Sequence, residues 1–155
     1  MAATDWNPVL FYFEVKFEIE GQEHVAPFLE VNGLNQKLVL EEQAQQGDNV
    51  VPLPTQVKFN DIVLKRPLQK LTDPISQWAK ECFDFPLTCQ VKPARLLISL
   101  LDGSGKEGER GAPLATWECN RTILVEWSLD TLKADESKLA VETLTLRPNN
   151  LQRKQ

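Results

Sequence analysis

Residues 10–20 alternate strictly, with Phe11, Phe13, Val15, Phe17 and Ile19 on one side and Tyr12, Glu14, Lys16, Glu18 and Glu20 on the other. Successive side chains of a strand point to opposite faces of its sheet, so a period of two over this length predicts a long half-buried strand. Gly21-Gln22-Glu23-His24 then reads as a polar turn into a second apolar segment, residues 25–31, paired with the first as a hairpin. Past Asn32-Gly33, where positive φ costs little, residues 37–42 carry Leu38, Val39 and Leu40 and read as a kinked or bulged pair of short strands.

Residues 43–56 break the pattern. They are polar, and Pro52 and Pro54 cannot donate to a sheet, so the segment reads as a loop longer than most connections in compact domains. A strand resumes over residues 57–65 and stops at Arg66-Pro67. One helix is expected over residues 73–83: Thr72 or Asp73 can cap it, Pro74 suits its first turn, and Ile75, Trp78, Ala79 and Cys82 form one apolar stripe before Pro86 ends it. Residues 94–101 are apolar at consecutive positions, which predicts a strand covered on both faces. The glycine-rich segment 102–111 reads as a hairpin tip, and residues 114–119, 122–129 and 138–146 as three further strands.

The fold class this predicts is mainly β: two packed antiparallel sheets, as a sandwich or open barrel, with one flanking α-helix. Residues 1–155 read as a single domain. Residues 148–155 have nothing to pack and should fray, and residues 1–8 form a second arm.

Net charge is −5 on 155 residues, with 42% hydrophobic and 25% charged, an ordinary globular composition. An acidic balance of this kind lacks the clustered positive surface that duplex-DNA binding needs. No apolar run reaches the length of a membrane-spanning helix, so no membrane anchor is expected, and the first residues do not read as a secretory signal. Three cysteines, Cys82, Cys89 and Cys119, without close pairing fit a reducing compartment better than a disulfide framework.

Chemical motifs fail on inspection. Gly103-Ser104-Gly105-Lys106 lacks both the upstream glycine and the following Ser or Thr of a phosphate-binding loop, since Leu100 and Glu107 stand there. His24, alone in an expected solvated turn, has no nucleophile beside it in sequence. Glu18 and Glu20 share a solvent face with Lys16, while Glu41 and Glu42 point to opposite faces, so neither pair suits acid/base work. One histidine and no Cys-x-x-Cys leave too few ligands for zinc. No catalytic, cofactor or metal residue is therefore expected, and the residues by themselves also admit a small-ligand or carbohydrate-binding β domain.

Seven segments in order nevertheless resemble the tube proteins of contractile phage tails and phage-tail-like injection particles, a family akin to the tube proteins of type VI secretion. The opening strand ending at Gly21 resembles the family's first strand, and Phe28-Leu-Glu-Val-Asn-Gly-Leu34 its Phe-x-Glu-Val-x-Gly-Leu signature. Leu53-Pro-Thr-Gln-Val-Lys58 and Ile62-Val-Leu-Lys-Arg66 are similar to its Leu-Pro-Gly-x-x-Lys and Ile-x-Leu-Lys-Arg-Gly segments. Trp78, Leu100-Leu-Asp-Gly103, Trp117-Glu-Cys-Asn120 and Val141-Glu-Thr-Leu144 match the helix tryptophan, the pre-hairpin strand, the Trp-x-x-Asn segment and the closing strand. Thr55, Pro67 and Arg121-Thr122-Ile123 depart from the pattern, as in a diverged paralogue that starts the tube at the baseplate.

The resemblance implies a structural, non-enzymatic subunit without cofactors. It implies homo-hexameric rings stacked into a tube, a sheath protein around it, baseplate and hub spike proteins at its end, and a cargo effector or DNA in the lumen. It also implies assembly in the bacterial cytoplasm into a virion tail or injection particle. Closing a ring would pair the open sheet edges of neighbours. The loop containing Gln45, Gln46, Gly47, Asp48, Asn49 and Val50 is the expected inter-ring contact, on account of its length and prolines. A hexameric ring would carry about −30 charges, so rising ionic strength is expected to favour stacking.

Overall fold

A computed structural model describes residues 11–42, 51–102, 112–135 and 139–154. The expected alternation produces β1 (Phe11–Ile19), with Val15 and Phe17 fully buried. Glu20 and Gly21, both at positive φ, turn the chain in two residues into β2 (Gln22–Ala26), and Ile19 pairs with Gln22. Positive φ at both central positions matches the twist of a tight hairpin. The expected segment 25–31 is two pieces: β2 ends at Ala26, and β3 (Glu30–Asn32) pairs elsewhere, with β6. His24 therefore lies on β2 opposite Phe17, half-buried, and not in a turn.

Next come β4 (Gln36–Glu42) and β5 (Pro52–Phe59), a separate two-stranded ribbon with a bulge beside Val39 and Leu40. The expected strand over residues 57–65 breaks at Asn60-Asp61, beyond which β6 (Ile62–Pro67) belongs to a different sheet. The helix α1 (Pro74–Phe83) forms as the apolar stripe predicts, with the Asp73 carboxylate accepting from the Ser76 backbone N–H at 3.0 Å. Pro86 does not simply end it. A second, one-turn helix α2 (Phe85–Thr88) follows, with Pro86 in its first turn, where the missing N–H is no loss.

The strand β7 (Ala94–Asp102) buries Ala94, Leu96 and Ile98 fully but leaves Leu97 half-buried, so cover on its second face is only partial. The strands expected over residues 114–119 and 122–129 are one long strand, β8 (Pro113–Leu129). It bends at Arg121, which adopts φ 47. After β9 (Val141–Arg147) the chain does not fray: Pro148-Asn149 interrupts it, and β10 (Asn150–Arg153) resumes pairing with β8, burying Leu151. Asn149 N–H donates to the Asn120 carbonyl at 3.2 Å, so this break sits beside the bend of β8. The polar run of residues 149–155, broken only by Leu151, gave no sign that this leucine would find a core.

Through that bend β8 belongs to two antiparallel sheets. Its first half lies between β7 and β10 in the sheet β2-β1-β7-β8-β10, and its second half borders β9 in the sheet β8-β9-β6-β3. Phe17, Leu96 and Cys119 from the first sheet meet Leu64, Leu144 and Leu146 from the second in one core, closed at the side by Ile75, Trp78 and Ala79 of α1. Phe17 is central, stacked on Phe28 at 6.0 Å and edge-on to Trp78 at 5.8 Å. Burying three large rings together stabilises by several kcal/mol on the scale of about 25 cal/mol per Å².

Candidate assembly surfaces

The sheets stop without closing. β2 and β3 end the strand order, and residues 123–129 of β8 pair with β9 on one side and with no described strand on the other. Open edges present unpaired N–H and C=O groups, which neighbouring copies can pair.

The β4–β5 ribbon explains how two prolines survive in a strand. Pro52 and Pro54 lie two residues apart, so both direct their missing donor toward the same edge, and β5 has no described neighbour beyond β4. Between Pro54, opposite Leu40, and Gln56, opposite Val39, Thr55 is the extra residue of the bulge, and its hydroxyl donates to the Val39 carbonyl at 3.1 Å. Threonine thus completes a ladder contact where the family pattern has glycine. The side-chain amide of Gln36 at the ribbon's base donates to the Leu151 carbonyl at 2.6 Å, tying the ribbon to β10. The expected inter-ring residues Gln45, Gln46, Gly47, Asp48, Asn49 and Val50 lie outside the described residues.

A buried charge cluster holds α1 to the second sheet. Arg66, 1% exposed, donates through Nε to Glu142 Oε1 at 2.6 Å and through Nη2 to Asp73 at 2.9 Å and Ser76 Oγ at 3.0 Å. The Trp127 indole donates to the other Glu142 oxygen at 3.2 Å. The guanidinium lies over the Phe28 ring, 5.6 Å from its centroid. Reading for isolated motifs missed this cluster. Its signal was the alternation itself: Arg66 continues the inward row of Ile62 and Leu64, and Glu142 that of Leu144 and Leu146. Beside the cluster a groove of about 280 Å³ opens between α1 and the second sheet, lined by Leu68, Leu71, Phe83 and Trp127, with Lys80 at its rim.

The outer face of the first sheet carries ion pairs instead of a cleft. Arg95 bridges Glu18 at 2.8 Å and Glu118 at 3.1 Å, Lys154 approaches Glu118 at 3.9 Å, and Lys16 approaches Glu23 at 3.6 Å. The hydrogen bond from Arg95 holds the Glu118 carboxyl below its usual range. Burial pushes the Cys82 thiol up to about 11 and the Cys119 thiol to about 12, the wrong direction for a nucleophile. Among the described residues no group of three His, Cys, Asp or Glu is placed to hold a metal, and no described helix is long and apolar enough to cross a membrane.

Residues 9–152 match the family model of the T4-like virus tail tube protein gp19. No curated protein matches the chain in sequence. Among solved structures, a chain of the anti-feeding prophage (AFP) baseplate is similar with a TM-score of 0.73 and 22% identity, covering 91% of each chain. A chain of the PVC sheath-tube complex, an extracellular contractile injection system in its extended state, gives 0.73 and 21% identity over 98% of this chain and 94% of that one. A crystal structure of Hcp protein gives 0.54 and 11% identity over 90% of each. These likenesses establish a shared fold.

Proposed function

The chain belongs to the T4-like virus tail tube protein family, and from that premise we propose that it is a structural subunit of the inner tube of a contractile phage tail or phage-tail-like injection particle. In this reading, copies close into homo-hexameric rings, the rings stack, and the lumen passes cargo or DNA. The work is mechanical: a shortening sheath drives a stiff tube forward, and the subunit makes and breaks no covalent bond.

The observation that carries the reading is the family match over nearly the whole chain, joined to sheet edges and a ribbon that no described strand covers. A neighbour that pairs along residues 123–129 of β8 removes the edge, and a closed ring removes it from every copy. The PVC relative was solved as a sheath-tube complex, which supports a sheath protein as partner, and the AFP relative in a baseplate, which supports baseplate and hub proteins. The departures at Thr55, Pro67 and Arg121-Thr122-Ile123 favour a second form of the same reading, in which this copy starts the tube at the baseplate.

Mass photometry of the purified chain tests the proposal. A ring-sized particle that grows more heat-stable with protein concentration is expected, because association stabilises by mass action. A monomer at every concentration, stabilised by a small ligand instead, assigns the fold to a binding domain.

A further inference from the structure

The β4–β5 ribbon is amphipathic across its faces. Its register sets Leu38 opposite Val57 and Leu40 opposite Pro54 on one face, a row that Glu42 and Pro52 extend, while Lys37, Lys58, Val39, Gln56, Glu41 and Leu53 occupy the other, more polar face. Phe59, at the base of the apolar row, packs against the core, but Leu38, Leu40 and Val57 stay about half exposed. A two-stranded ribbon is marginal in water by itself, so an uncovered apolar face calls for a cover.

The same chain supplies a recess of matching character. Leu68, Leu71 and Phe83 are exposed along the groove at α1, Trp127 forms its wall, and Lys80 stands at the rim. Glu81 beside Lys80 is engaged by Lys92 at 2.9 Å, whereas Lys80 and Glu42 each lack an ion-pair partner among the described residues. An apolar row bordered by a carboxylate and a mainly apolar groove bordered by an ammonium are complementary in polarity and in charge.

We infer that the apolar face of the ribbon of one copy seats in the α1 groove of a second copy, with Glu42 of the first meeting Lys80 of the second. Ribbon and groove are different patches, so the contact is heterologous. Each copy donates once and accepts once, and the contact propagates from copy to copy. The inference rests on the tube reading and deepens it by naming where the ribbon docks.

Charge reversal in the full chain tests it, using Lys80→Glu, Glu42→Lys and the double variant, read by electron microscopy and sedimentation. Both positions are exposed, and far-UV circular dichroism checks that each variant folds. Assembly is run with the sheath and baseplate proteins present, and wild-type protein is the control for the tube reading: if it forms no tubes even then, that reading fails and takes the inference with it. With wild-type tubes in hand, each single reversal is expected to raise the half-assembly concentration about five- to tenfold, and the double to restore it. Single variants that stack like wild type, or a double no better than the singles, overturn the inference. So do Lys80→Glu tubes of normal length that no longer hold sheath, an outcome that gives the groove to the sheath.

Discussion

Arg66 on β6 and Glu142 on β9 stand directly opposite each other in the second sheet, both buried, with Nε and Oε1 2.6 Å apart. The pair is tied to the first turn of α1 through Asp73 and to β8 through Trp127, so four elements meet at one guanidinium and one carboxylate. Burying opposite charges together adds little net stability, but breaking such a pair is costly because the survivor stays buried and unpaired.

Arg66→Met should therefore destabilise the chain by about 3–5 kcal/mol, and adding Glu142→Leu should recover most of that loss. Urea unfolding of the two variants checks this. A double variant as unstable as the single one would show that the arginine matters for its packing alone.

Two glycines should differ under the same substitution. Gly33 holds φ +96, and a Cβ there would overlap the carbonyl oxygen of Asp61, whereas Gly21 at φ +80 has open space around it. Gly33→Ala should cost about 3 kcal/mol or more, from strain plus a displaced β5–β6 corner, and Gly21→Ala about 1 kcal/mol from strain alone. Thermal melts of both variants test the contrast, and equal losses would contradict it.

Burial of Cys82 and Cys119 gives stability a dependence on alkaline pH. Their thiols are raised from 9.0 to about 11 and about 12, so above pH 9 the unfolded chain loses protons that the folded chain keeps. Their contribution to stability is complete below pH 9 and is lost as pH rises toward 11 and 12. Chemical denaturation at pH 8 and pH 10 should show a fall, smaller in a Cys82→Ala, Cys119→Ala protein. Exposed Cys89 should react with a thiol reagent first and Cys119 only on unfolding.

Deleting residues 45–49, between the two ribbon strands, should leave a folded subunit that no longer elongates into tubes. Sedimentation and electron microscopy of the deletion check this, and tubes of normal length would remove the segment from the inter-ring contact.

Much of this fold was legible where one physical signal acted alone. The alternation of β1 and the stripe Ile75, Trp78, Ala79 and Cys82 on α1 each report one buried face, and the structure keeps both. Where tertiary context decides, local reading went astray. Pro52 and Pro54 look like sheet breakers until the open edge they share is known, and residues 57–65 look continuous because both pieces are apolar although they serve different sheets. Strand β10 was invisible because the bend at Arg121 creates its partner, more than twenty residues earlier in the chain. The proposed assembly surfaces were the least legible part, since exposed Leu38 and Leu71 belong to no local pattern that marks a contact.

Cryo-electron microscopy of the purified full chain at high concentration, alone and with its sheath and baseplate proteins, tests the central claim most directly. Stacked six-fold rings around an open lumen, with neighbouring subunits paired along residues 123–129 of β8, are the predicted result. Particles that remain single subunits under both conditions would contradict the account.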